Sequence, residues 1–222
     1  MNNLNHFTKI PYICFFAMFI LLQACSSRPI QNFTEINVSH VSQATAWEIQ
    51  GKLAVRTEQD RFSTNLYWLH TPWQDEITLT TMLGTTVLSL TRNEDVATLK
   101  IDGKTYHDSD AQNLLLRLTG WSIPIDTLPL WITGQLSPSD VVIERDTAKR
   151  PIKAHTKDAH SPWQVHFKSW QQQSGAALPR LLDVNKDDVR LKIQVSQWQA
   201  LAPSNTPASN DSLNLSQGTV SE

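Results

Sequence analysis

The chain of 222 residues holds only two cysteines, and Cys14 lies inside an apolar run at the extreme N-terminus. With that run removed as a leader, Cys25 is the sole thiol, and no disulfide framework can form. An excess of basic charge is also missing: nineteen Lys and Arg stand against twenty-one Asp and Glu, for a net charge of −2. That balance argues against nucleic acid as a partner, because phosphate binding calls for clustered basic side chains. No segment after the leader is long and apolar enough to cross a bilayer as a helix, and no internal repeat occurs. Catalytic signatures are absent too, with neither G-x-S-x-G nor H-E-x-x-H present. Gly103-Lys104-Thr105 resembles the end of a phosphate loop, but Thr98 stands where the first glycine is needed. His155 and His160 are five apart in a polar loop with no further metal ligands suggested, and His166 alternates onto the polar face of a strand. The expectation is a protein with no catalytic set, metal or cofactor.

At the N-terminus, a polar start through Lys9 leads into the apolar run Ile10–Leu22. The run is too short for a stable bilayer span and fits the core of a secretory signal. Leu22-Gln23-Ala24-Cys25 resembles the lipobox of bacterial lipoproteins, in which the cysteine is acylated and becomes the new N-terminus. By resemblance to the sorting rule of Gram-negative lipoproteins, Ser26 rather than Asp after Cys25 favours a lipid anchor on the periplasmic face of the outer membrane. Four regions are expected: a signal peptide at 1–24, a lipidated tether with a weakly amphipathic helix at 25–46, a folded domain at 47–198, and a disordered polar tail at 199–222.

Within the folded domain, Trp47 to Arg56 alternates apolar and polar residues, the period of a strand with one dry face. Phe62 to His70 continues it, and Glu76 to Leu90 reads as a hairpin with Met82, Leu83 and Gly84 at its tip. Gly84 suits a turn, whereas Met82 and Leu83 do not. Such a tip is either tucked under a neighbouring loop or meant to touch something apolar. Val96 to His107 forms a second hairpin around Asp102-Gly103. Asp108-Ser109-Asp110 offers an N-cap to a helix carrying Ala111, Leu114, Leu115 and Leu118, stopped by Gly120. A second short helix is expected at Leu128–Thr133, with Pro129 in its first turn. From Gln135 to Ser161 only Val141–Arg145 reads as a strand, followed by a polar loop. Strands return at Trp163–Trp170, Leu178–Val184 and Val189–Trp198. Nine to eleven antiparallel strands with two or three helices predict a mainly β fold: a curled sheet, or incomplete barrel, with helices as a lid over an apolar interior. Eight tryptophans fit either a packed aromatic core or a cavity for acyl chains.

Gly51-Lys52-Leu53-Ala54-Val55, Tyr67-Trp68, Leu83-Gly84-Thr85-Thr86, LTGWSIPIDTLPLWITG over 118–134, Trp163-Gln164-Val165, Leu178-Pro179 and RLKIQVSQW over 190–198 occur in this order. Together with the lipobox they resemble the LolB family of outer-membrane lipoprotein receptors. The resemblance implies a monomer that takes acylated lipoproteins from the periplasmic carrier LolA and places them among outer-membrane phospholipids. It also implies that Leu83, flanked by Met82 and Gly84, is the membrane-inserting residue of a protruding loop. The cavity wall is expected from Leu53, Val55, Trp68, Leu79, Leu90 and Leu99, with Val165, Phe167, Leu191 and Ile193 from later strands. Leu115, Leu118 and Trp131 are expected from the lid, and strand parity leaves the inward face of each strand open. The rival reading is a structural lipoprotein of an envelope assembly machine with no acyl cavity.

Overall fold

Trp47, Ile49, Leu53 and Val55 recur at every second position and all are buried, as the two-residue period of a strand requires. The same period recurs along the computed structural model, which describes residues 32–157 and 160–204. Its strands are β1 (Phe33–Ile36), β2 (Ala46–Arg56), β3 (Arg61–His70), β4 (Asp75–Thr80), β5 (Thr86–Arg92) and β6 (Ala97–Ile101). They continue with β7 (Lys104–Asp108), β8 (Asp140–Arg145), β9 (Pro151–Thr156), β10 (Gln164–Gln173), β11 (Ala176–Lys186) and β12 (Val189–Pro203). Two helices, α1 (Ala111–Thr119) and α2 (Leu128–Ile132), fall between β7 and β8.

All strand pairs are antiparallel, in the order β7-β6-β5-β4-β3-β2-β12-β11-β10-β9-β8. The outermost strands β7 and β8 do not pair with each other, so the sheet stays open. The chain between them carries both helices, and their apolar side chains meet those of β2–β5 and β12 around one interior. α1 begins as its sequence dictates: the Asp110 carboxylate accepts from the Gln112 and Asn113 N–H groups at 2.8 and 3.0 Å. Gly120, with φ +73°, ends it. Gly51 marks a close strand approach, since a Cβ there would lie 2.0 Å from the Gln194 carbonyl oxygen. It sits next to the β12 bulge between Val195 and Gln197.

Several sequence expectations change. The helix expected before Thr45 is instead strand β1 and a 3-10 turn at Val41–Gln43. The Ser, Thr and Asn content makes a poor helix. Because β11 pairs β12 only over residues 189–194 of the latter, the far half of β12 has a free edge that β1 fills, Phe33 opposite Pro203. β12 also runs past Trp198 to Pro203, through residues expected to be tail. The polar loop expected after Arg145 contains β9, held between β8 and β10 by backbone pairing rather than by side-chain alternation. Among the described residues the count is therefore twelve strands. The signal peptide, Cys25 and the rest of the tail lie outside the described residues.

Candidate functional site

Beneath the two helices lies a cavity of about 40 Å³ lined by hydrophobic residues alone. Its sheet wall includes Leu53, Trp68, Leu79, Leu90, Leu191 and Ile193, and Leu115 enters from α1. Of the other residues expected here, Val55, Leu99, Trp131, Val165 and Phe167 are buried in the same core but do not line the cavity, and Leu118 is partly buried against that core. Leu66, Ile77 and Leu88 complete the sheet wall. They share strand parity with Trp68, Leu79 and Leu90, so the alternation that marked one set also marks the other. The cover consists of Trp121, Ile123, Ile125, Leu128 and Ile132. These stand in an irregular stretch and a short helix, where no periodicity announces an inward face.

The irregular stretch between Gly120 and Thr127 is held by its own turns, with Ile125 N–H donating to the Ile123 carbonyl at 2.8 Å and Thr127 N–H to the Pro124 carbonyl at 3.0 Å, and by side chains. Trp121 packs on Phe62 with ring centroids 5.2 Å apart, and its backbone N–H donates to the Thr119 hydroxyl. Arg92, at the end of β5, donates to the Ile125 carbonyl at 3.2 Å and to the Asp126 carboxylate. The same guanidinium is fixed from behind by Asp75, a carboxylate with 7% of its side chain exposed, which accepts from Arg92 Nε at 2.8 Å. Asp75 also accepts from the indole N–H of the cavity residue Trp68 at 2.8 Å, and His70 Nδ1 stands 2.7 Å from the same oxygen. Burial by itself would push the Asp75 carboxyl up. The hydrogen bond and charge of His70, the Trp68 N–H and the Arg92 charge outweigh it, and hold Asp75 below its ordinary value of 3.8. A polar clasp thus joins the apolar wall to its cover. At the other side of the cover, the Trp131 indole N–H donates to Asp140 Oδ2 at 3.0 Å and ties α2 to β8.

The hairpin tip is built with equal care. Thr81 N–H donates to the Thr85 carbonyl at 2.8 Å, Gly84 N–H to the Thr81 carbonyl at 3.0 Å, and the Asn65 amide to the same Thr81 carbonyl at 3.0 Å. Gly84 takes φ +85°, which suits glycine. This ordered turn presents Met82 at 75% and Leu83 at 95% exposure, the two most exposed large hydrophobic residues among those described.

A sequence model of the family described as "Outer membrane lipoprotein LolB" matches residues 45–198, from the threshold of β2 to Trp198. This chain belongs to the LolB family. Among its LolB relatives, the "Outer-membrane lipoprotein LolB" of Shewanella sediminis is 59% identical over 212 residues, covering 93% of this chain and 97% of the relative. That of Shewanella loihica is 55% identical over 213 residues, covering 95% and 99%. Among solved structures, a LolA superfamily protein from Nitrosomonas europaea aligns with a TM-score of 0.44 at 8% identity, over 72% of this chain and 87% of that one. The LolB match spans every residue of the cavity wall, the cover and the exposed tip. It excludes β1 and the last residues of β12, which lie beside each other at one margin of the sheet.

Proposed function

We propose that this protein receives the acyl chains of lipoproteins from the periplasmic carrier LolA, holds them beneath α1 and α2, and delivers them to the outer membrane without covalent chemistry. The observation that carries this reading is the wholly apolar cavity wall under a cover that lies outside the sheet. A polar metabolite would find no partner for its own donors and acceptors there, and would lose free energy on entry. An acyl chain loses nothing by leaving water and gains about 0.8 kcal/mol per buried CH₂.

In the described state the site is narrow: 40 Å³ is well below the roughly 150 Å³ of an apolar cavity that holds one benzene, so an acyl chain needs it to widen. Cargo enters by displacing Trp121, Ile123 and Ile125, the part of the cover with the least secondary structure. Segments outside the sheet ladder open at lower free energy than the strands beneath them, and here the Arg92 clasp sets the cost of opening. Without a nucleotide to drive transfer, movement is downhill: the chain must hold acyl groups more tightly than the donor and less tightly than the bilayer.

Acylated Cys25 anchors the protein, and two acyl chains already make that attachment nearly permanent. Burying Leu83 adds only about 1.5–3 kcal/mol. Its role is positional, bringing the loaded receptor against the membrane surface. The test mixes cargo-loaded carrier with Leu83→Glu receptor and vesicles. Uptake equal to wild type with delivery to vesicles lost is expected. Loss of uptake as well would contradict this separation of roles.

A further inference from the structure

Strand register brings together three arginines that are far apart in the chain. Arg190 on β12 stands opposite Arg56 on β2, and Arg56 stands opposite Arg61 on β3. All three are exposed and alternate with the core-facing residues Leu191, Val55 and Phe62, so they form one row on the outer wall of the sheet. Directly opposed strand residues are about 5 Å apart, and like charges so placed destabilise a sheet. Among the described residues none of the three makes an ion pair. Lys192 lies one outward row further along and Lys52 the next. Arg56, Arg190, Lys186 and Lys192 also border a shallow recess of about 740 Å³, with Asp183 and Asp187 on its wall.

The row lies at the end of the sheet from which the Leu83 tip projects. The β4–β5 turn departs beside Asn65, and Arg61 is four residues further along β3 towards the same end, about 13 Å at strand rise. Lys100 and Lys104 flank the tip from the other side, on β6 and β7. The turns at this end also hold Glu58, Asp60, Asp102, Asp187 and Asp188. At the opposite end, the outward positions Glu48 and Glu76 and the turn residues Glu94 and Asp95 are acidic. On β2 to β6 the outer wall is therefore basic beside the apolar tip and acidic far from it; further round the sheet the far end also carries Arg145, Lys149, Arg150 and Arg180.

An apolar point next to a guanidinium row that makes no ion pair is complementary to a bilayer surface, where phosphates lie just outside the hydrocarbon. Guanidinium suits phosphate because its planar fork donates two parallel hydrogen bonds. We infer that Arg56, Arg61 and Arg190 bind the phosphate headgroups of an anionic phospholipid bilayer while Leu83 enters its apolar zone. This inference rests on the reading of Leu83 as a membrane contact. The arginines set the orientation in which the protein meets the surface, and make that contact depend on lipid charge and on salt.

The test uses the chain from Ser26 onward, which keeps every described residue, with a buried core among them running from Val38 to Leu201. Binding is measured by flotation with vesicles of phosphatidylcholine alone and of phosphatidylcholine with phosphatidylglycerol, at low and high salt. Each basic residue near an anionic surface is worth about a fivefold change in affinity. The variant Arg56→Gln/Arg61→Gln/Arg190→Gln should therefore bind anionic vesicles about a hundredfold more weakly than wild type at low salt, and neutral vesicles equally well. Urea unfolding should show it no less stable than wild type, because its like-charge opposition is gone. Equal binding of anionic vesicles by the two proteins overturns the inference. So does a variant that keeps vesicle binding but loses cargo uptake from the carrier, which would assign the row to a protein partner. A Leu83→Glu variant that binds both vesicle types as wild type does would overturn the reading of Leu83 and leave the arginine result standing.

Discussion

Replacing Asp75 by alanine removes the acceptor at the centre of the clasp between the cavity wall and its cover. The side chain is nearly buried and receives Arg92 Nε, Trp68 Nε1 and the His70 contact. A buried donor left without an acceptor costs about 1–3 kcal/mol, and breaking a buried ion pair about 3–5 kcal/mol. Arg92 retains the Ile125 carbonyl and Asp126, which places the expected loss near the lower end of the second range, about 3 kcal/mol. Against a domain stability of about 5–15 kcal/mol this is large. Urea unfolding followed by circular dichroism at pH 7 should show it as a lower midpoint at unchanged slope. Asp75→Asn keeps an acceptor for Trp68 but loses the charge, and should fall between the two. The pH dependence follows from the sign of the shift. The folded carboxyl titrates below the ordinary 3.8, so its contribution is complete above that pH and is lost as pH falls through the lower folded value. Wild type should therefore lose stability relative to Asp75→Ala as the solution is taken into that acid range. An alanine variant within 1 kcal/mol of wild type at pH 7, with the same acid limb, would refute the reasoning.

Gly51→Ala should cost about 1–3 kcal/mol or more in the same unfolding assay, because the added methyl meets a backbone oxygen of β12 that cannot rotate away; a neutral effect would mean that the two strands are not so close. Asp110→Ala should lower stability by about 1 kcal/mol by removing the cap of α1, and unchanged urea stability would show the cap to be idle. Leu114→Ala, at a fully buried position of α1, should cost about 2–5 kcal/mol, and a cost below 1 kcal/mol would place α1 off the core.

Much of this fold is legible wherever a residue's neighbours in sequence decide its conformation. The alternation of β2, the Asp102-Gly103 turn with φ of 51° and 72°, and the cap and stop of α1 are local, and each stands where the sequence puts it. β1 and β9 are not local: each is short and polar, and becomes a strand because a neighbouring edge offers backbone partners. Asp75 reads as the last residue of a polar turn, and only the folding of β3 and β5 around it makes it a buried acceptor. Of the cavity, the strand residues could be drawn from parity, whereas Trp121, Ile123 and Ile125 carry no period and find their direction through Phe62 and Arg92. The arginine row is the least legible feature of all. Residues 56, 61 and 190 look like three scattered charges in a near-neutral chain until register sets them side by side.

The claim that this interior accepts acyl chains is tested most directly by titrating a fatty acyl ligand into the chain from Ser26 onward and following tryptophan emission. Trp68 and Trp121 line the cavity, so a ligand bound there would change their surroundings. A saturable change near one ligand per chain, diminished when Leu115 or Ile193 is replaced by a charged residue in a variant that still folds, is the predicted result. Unchanged emission through the titration, with circular dichroism confirming a folded sheet, would contradict it and leave the tryptophans as packed core.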